Sequence, residues 1–186
     1  MKTEVEKWKV LESTYLIRRP WLTARRDRVE LPDGRINDEY YVLEYPTWIN
    51  VIARRKDGCF VMVEQYRHGL GDTFVELCAG VAEQGETPEQ AARRELLEET
   101  GYGYGRWSLM SVISANPGSQ NNLAYSFLAE DVELVEEHQH LDPTEDVRVR
   151  ILTEDELFAM LDADEMKQAL MAAPLWKYFY KKRIGK

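Results

Sequence analysis

Three carboxylates in the run Arg94-Glu95-Leu96-Leu97-Glu98-Glu99 stand at i, i+3 and i+4. At about 100° per residue they share one face of a helix. Like charges at that spacing repel by a few tenths of a kcal/mol per pair, so a segment that keeps them calls for a compensating cation, and a divalent metal is the obvious one. Arg94, four residues before Glu98, is placed to pair with it and orient it. The helix that must carry these groups has readable ends. Thr87 is placed as N-cap, Pro88 fits the first helical position, Gln90 completes a capping box, and Gly101 sits where a left-handed cap would end it. Ala91 and Ala92, one turn before Glu95, leave room for a bulky ligand. A solvated acidic face is the competing reading, because the chain carries 33 Asp and Glu residues.

The surrounding spacing decides between the two. Gly80, Glu86, Arg94-Glu95, Glu98-Glu99 and Gly101 reproduce the pattern G-x5-E-x7-R-E-U-x-E-E-x-G-U, and so the chain resembles the Nudix hydrolases. Only Tyr102 departs, at a position usually aliphatic, which concerns packing rather than chemistry. The resemblance implies an α/β fold, an α/β/α sandwich with a mixed sheet, and Mg²⁺-dependent hydrolysis, with Mn²⁺ as the alternative ion. The substrate would be a small molecule, a nucleoside diphosphate linked to another group. Implied ligands are Glu95, Glu99, the Ala79 carbonyl and Glu98, the last as ligand or water-positioning group, with Glu86 and Arg94 orienting them. Magnesium suits this set, being held by one or two carboxylates plus substrate phosphates rather than by an all-protein cage.

Outside the box, Gln65-Tyr66-Arg67-His68, the run Phe74 to Gly80, and Pro117-Gly118 resemble the ADP-ribose and ADP-sugar pyrophosphatase branch. Two positions depart from it. Ser119-Gln120-Asn121-Asn122 stands where an acidic residue is common, and Cys78 replaces a usual proline. In that branch the general base is a glutamate on a loop before a late strand. Leu141-Asp142-Pro143-Thr144-Glu145-Asp146 occupies that place, giving Glu145 first, Asp146 second and Glu98 third. Substrate contacts are expected from Arg67, Trp21, Trp48 and Pro117. Arg67 would reach a diphosphate oxygen or else form an ion pair at the core edge, and the tryptophans would stack a base or pack.

The elements that position these groups can be read in outline. Residues 8 to 45 are strands and turns, with Leu31-Pro32-Asp33-Gly34 as a hairpin signal. Further strands are expected at Ile49 to Ala53, Cys59 to Gln65, Thr73 to Cys78, Trp107 to Ala115, Leu123 to Ala129 and Val147 to Leu152. Thr153 with Glu156 caps another helix. A last one runs from about Lys167 to Lys182, with Pro174 expected to break or kink it and its aromatic run packing on the sheet. Two domains follow: residues 1–45, a small N-terminal β-subdomain that the branch uses to form homodimers, and the hydrolase domain at 46–186. A net charge of −9 argues against nucleic acid, and no apolar run suits a membrane span or a signal peptide, which makes a cytoplasmic location the expectation. Cys59 and Cys78 read as small buried hydrophobes. The rival readings are another Nudix substrate (a different nucleotide sugar, a dinucleotide or a nucleoside triphosphate), a non-catalytic nucleotide-binding sensor, and a structural domain.

Overall fold

A computed structural model describes residues 4–185. The chain separates into two compact units. One runs up to Pro46 and includes Asn116–Asn122; the other comprises Thr47–Ala115 and the chain from Leu123 onward.

The first unit is an antiparallel sheet of β1 (Lys9–Arg19), β2 (Leu22–Glu30) and β3 (Ile36–Glu44), in that order. The hairpin between β2 and β3 closes at the expected turn, where Leu31 N–H donates to the Arg35 carbonyl and Gly34, at φ 84°, supplies the left-handed residue. Its interior charge is Asp27, buried and held by Arg25 Nε at 3.0 Å and Ser13 Oγ at 2.6 Å. β1 lies exposed along nearly its whole length, with Val10, Tyr15, Leu16 and Ile17 open to solvent. The segment 116–122 is tied to this unit by Leu43 N–H, which donates to the Ser119 carbonyl at 2.7 Å.

The second unit is built on a mixed sheet. Its strands are β4 (Trp48–Arg55), β5 (Phe60–Arg67), β6 (Asp72–Glu76), β7 (Cys78–Val81), β8 (Tyr102–Gly103), β9 (Arg106–Ile113), β10 (Ala124–Leu134) and β11 (Val147–Leu152). β4 and β10 pair in parallel, and the other pairings are antiparallel. As a strand covered on both faces, β4 is buried along its middle from Ile49 to Ala53 rather than alternating, and all of that run but Asn50 is apolar. Ile49, Val51 and Ala53 face α1 (Pro88–Thr100), which docks through Ala91, Ala92 and Leu96. Ile52 faces the other way, with Phe60, Met62 and Leu77, onto α2 (Glu154–Asp162) and α3 (Ala169–Arg183). This is an α/β/α sandwich, and each fully buried Leu, Ile or Phe in it contributes roughly 1.5–3 kcal/mol.

Three expectations need correction. The strand read at Thr73 to Cys78 is two strands broken at Leu77, because the sheet forks there. β4 and β5 pair only at Ala53–Val61 and Arg54–Phe60, after which β6 follows β5 and β7 follows β4. Pro174 does not break α3, which runs on to Arg183. Proline lacks the N–H that would bond the Leu170 carbonyl, and Asn50 Nδ2 donates to that carbonyl instead, at 3.0 Å. The aromatic run of α3 divides as well. Tyr178 is buried edge-on against Phe60, but Trp176 and Tyr180 are exposed, Trp176 meeting Phe158 of α2.

Candidate active site

The acidic helix is capped as its sequence requires. Thr87 accepts from Gln90 N–H and Gln90 returns the bond to Thr87 N–H; Gly101, at φ 73°, donates to the Leu97 carbonyl. Between those ends Arg94 spends all five of its donors. Nε and Nη2 grip Glu86 at 2.9 and 3.0 Å, Nη2 also reaches the Val81 carbonyl at 3.1 Å, and Nη1 holds both Glu95 and Glu98 at 2.9 Å. One guanidinium thus locks the loop before the helix, two of its carboxylates and the strand beneath. Its hydrogen bonds to Glu86 raise its own pKa, and Arg94 with the Glu83 N–H draws Glu86 down to about 2.

β7 is where helix and sheet meet. It pairs with β4, Ala79 lying opposite Asn50, yet Ala79 N–H donates to Glu99 Oε2 at 3.1 Å. In a strand both polar groups of a residue point to the same edge, so the Ala79 carbonyl also faces away from β4, toward Glu99. Gly80 is required by close approach: a Cβ there would lie 2.1 Å from Glu95 Oε1. Glu99 is 4% exposed, and burial, reinforced by the charges of Glu95 and Glu145, pushes its pKa up to about 7 despite a hydrogen bond from the Cys78 thiol. Burial raises Glu95 too, against the opposing pull of Arg94.

Those desolvated carboxylates beside a free carbonyl fit a hard divalent cation. The ion would be bound by Glu95, Glu99 and the Ala79 oxygen, with Glu98 adjacent. Among the described residues no group of three His, Cys, Asp or Glu side chains is gathered to hold a metal, so an ion here would also need the Ala79 carbonyl, substrate and water as ligands.

The segment after β10 is stapled to the C-terminal end of α1. Val135 N–H donates to the Gly101 carbonyl and His140 N–H to the Glu98 carbonyl, both at 2.8 Å. Gln139 Nε2 donates to the Glu99 carbonyl and, at 3.1 Å, to the Val147 carbonyl where β11 begins. Glu145 sits in the turn that follows, exposed, its carboxylate accepting from Asp142 N–H at 3.0 Å. Its charge acts on both Glu95 and Glu99. Asp146 is exposed next to it.

On the other face of the sheet a cleft of about 230 Å³ is lined by Trp48, Asn50, Arg67, Ala79, Gly80 and Gln168, among others. The structure therefore brings Arg67 and Trp48 together beside the box glycine. Arg67 is also an ion pair at the core edge, its Nε 2.9 Å from Oε2 of the buried Glu76. Trp21, 74% exposed in the turn between β1 and β2, and Pro117 both belong to the first unit. Sequence reasoning missed Asn50, Gln139 and the contact of Cys78 with Glu99. Only Asn50 left a signal, as a strand-averse amide inside the apolar run Ile49–Ala53.

Comparison with known proteins agrees with this geometry. The NUDIX domain family matches residues 45–173, and the nucleoside diphosphate sugar hydrolase N-terminal domain matches residues 8–43. The chain is 35% identical over 144 residues to the ADP-ribose pyrophosphatase of Bacillus subtilis (strain 168), covering 77% of each chain. It is 36% identical over 130 residues to the methanol dehydrogenase activator of Bacillus methanolicus, covering 70% of each. A solved structure described as an ADP compounds hydrolase superposes with a TM-score of 0.83 over 99% of both chains at 19% identity, a likeness of fold.

Proposed function

The chain belongs to the NUDIX family, and from that premise we propose that it hydrolyses a nucleoside diphosphate-linked sugar of the ADP-ribose kind to a nucleoside monophosphate and a sugar phosphate. The observation that carries this is the pair of carboxylates against the edge of β7 that points away from β4, the buried Glu99 and the half-buried Glu95. In the proposal Mg²⁺, with Mn²⁺ as substitute, is held by Glu95, Glu99, the Ala79 carbonyl and Glu98, where it supplies neutralisation of diphosphate charge and activation of water.

The chain's own residues do the rest. Arg94, anchored by Glu86, keeps Glu95 and Glu98 in place. Glu145 takes the proton of the attacking water, with Asp146 as the alternative base; support comes from the reach of its charge to Glu95 and Glu99. Arg67 faces a diphosphate oxygen while Glu76 fixes its plane. Trp48, Trp21 and Pro117 are assigned to substrate contact. In organisation, residues 1–45 are the dimer-forming β-subdomain and 46–186 the hydrolase domain of a cytoplasmic homodimer that acts on neither nucleic acid nor membrane. No helix among the described residues is long and apolar enough to cross a membrane.

The test is product formation across ADP-ribose, other nucleotide sugars, dinucleotides and nucleoside triphosphates, with Mg²⁺ and with EDTA. Metal-dependent turnover concentrated on nucleotide sugars is expected. Turnover concentrated on dinucleotides or triphosphates would move the substrate class, and folded protein inactive on every compound would favour a binding role.

A further inference from the structure

Asn50 has a hydrogen-bonding requirement that the protein itself leaves unmet. The residue is 3% exposed, and its Nδ2 is committed to the Leu170 carbonyl, which fixes which way the amide points. Its Oδ1 is then an acceptor with no partner among the described residues. Oγ of Ser126, the residue beside it on β10 and itself fully buried, is a hydroxyl that likewise has no partner among the described residues. An unpaired buried acceptor costs about 1–3 kcal/mol, and Asn50 lines the cleft beside Ala79 and Gly80, where a ligand could remove that cost. The same cleft receives the N-terminus of α3, whose N-cap Gln168 makes no side-chain capping bond and whose first turn carries no acid. A helix start left open in this way favours an anion, and Arg67 at the same cleft adds a positive charge.

Resting on the hydrolase reading above, we infer that this cleft is a sugar subsite in which Asn50 Oδ1 accepts a hydrogen bond from a ring hydroxyl while the attached phosphate faces Arg67 and the start of α3. The chemistry is that of a hydroxylated sugar carried on a phosphate. Two parts of the substrate supply it, the ribose of the nucleoside and the second sugar. An amide oxygen can only accept, so the site rejects a ring carbon that lacks its hydroxyl, which makes Asn50 a specificity-determining residue rather than a general anchor.

The experiment reads binding apart from turnover. Calorimetry in EDTA on wild-type protein compares ADP-ribose with two analogues, one deoxygenated in the adenosine ribose and one in the second sugar; kcat/KM for the same three is taken with Mg²⁺. Affinity should fall roughly ten-fold or more for one analogue only, and that analogue identifies which sugar fills the cleft. In Asn50→Ala the gap between that analogue and ADP-ribose should close, while preference among nucleobases stays as in wild type. Equal affinity for all three compounds, or no binding of any, overturns the proposal even if Asn50→Ala fails to fold, because those arms use wild-type protein. A folded Asn50→Ala that keeps the wild-type gap overturns it too. Hydroxyl discrimination in binding without Mg²⁺-dependent hydrolysis would leave the subsite standing and remove the hydrolase reading alone.

Discussion

At the scale of single residues, the site depends on how one guanidinium is spent. A lysine at position 94 would keep a positive charge near Glu95 and Glu98 but has three donors on one nitrogen, so it cannot hold Glu86 through a fork and reach the Val81 carbonyl as well. Arg94→Lys should therefore fold and lose activity by roughly 10–100-fold, the usual effect of removing a group that orients ligands. Steady-state kinetics over a Mg²⁺ titration checks this, and wild-type activity at low Mg²⁺ would refute the orienting role. Glu145 calls for a different signature. Glu145→Gln removes the proposed proton acceptor and keeps the side chain's shape, so kcat should fall by orders of magnitude while KM stays nearly unchanged. An unimpaired mutant would move the base to Asp146 or Glu98. Glu95, Glu98, Glu99 and the pairing of Arg94 with Glu98 were legible because their spacing alone implied a shared face, whereas Glu86 and Glu145 were expected only from the family resemblance. The Cys78 thiol against Glu99 was not, since the contact joins a strand to a helix and depends on how the two dock.

At the scale of elements, local chemistry gave ends and tertiary contacts decided continuity. The capping boxes at Thr87 and Thr153 and the left-handed Gly101 were readable because each is settled within a few residues of chain. The break at Leu77 and the survival of α3 through Pro174 were not. The first comes from a change of partner strand and the second from Asn50, 120 positions away in sequence. The loop carrying Glu145 is of the same kind. Nothing in its composition shows that Gln139 bridges the end of α1 to the start of β11, yet that bridge is what fixes the loop's entry. Gln139→Ala deletes two hydrogen bonds worth about 1 kcal/mol each, so unfolding in urea should show a loss of about 2 kcal/mol. Gln139→Glu keeps the length but turns both donors into acceptors and should destabilise further. A midpoint unchanged in both variants would mean the bridge does not form.

At the scale of the whole molecule, the mixed sheet between α1 and the α2–α3 pair was implied by the box, but the joining of residues 116–122 to the N-terminal unit was not, because no local pattern marks it. Exposure along β1 is also a property of the assembled chain. A strand with Val10, Tyr15, Leu16 and Ile17 all open presents more apolar surface than an edge strand normally leaves uncovered. If the proposed dimer uses it, Ile17→Glu should give monomers by light scattering at concentrations where wild type is dimeric. Stability carries a second global signature. Glu99, raised from 4.5 to about 7 by burial, binds its proton more tightly in the folded than in the unfolded chain. Its contribution is therefore fully present below pH 4.5 and is lost as pH rises through 7. Glu86 works in the opposite sense, but between about pH 2 and 4.5, outside that window. Metal binding needs the ionised carboxylate, so it should gain over the same interval in which the metal-free protein weakens. At a hundredfold excess over Kd, Mg²⁺ would add about 2.7 kcal/mol, or roughly 5–10 °C in Tm for a chain of this size. Melting in EDTA and in Mg²⁺ from pH 4.5 to 8 should show the EDTA curve falling and the gap between the curves widening above pH 6. A gap constant across that range would mean that Glu99 does not hold the ion.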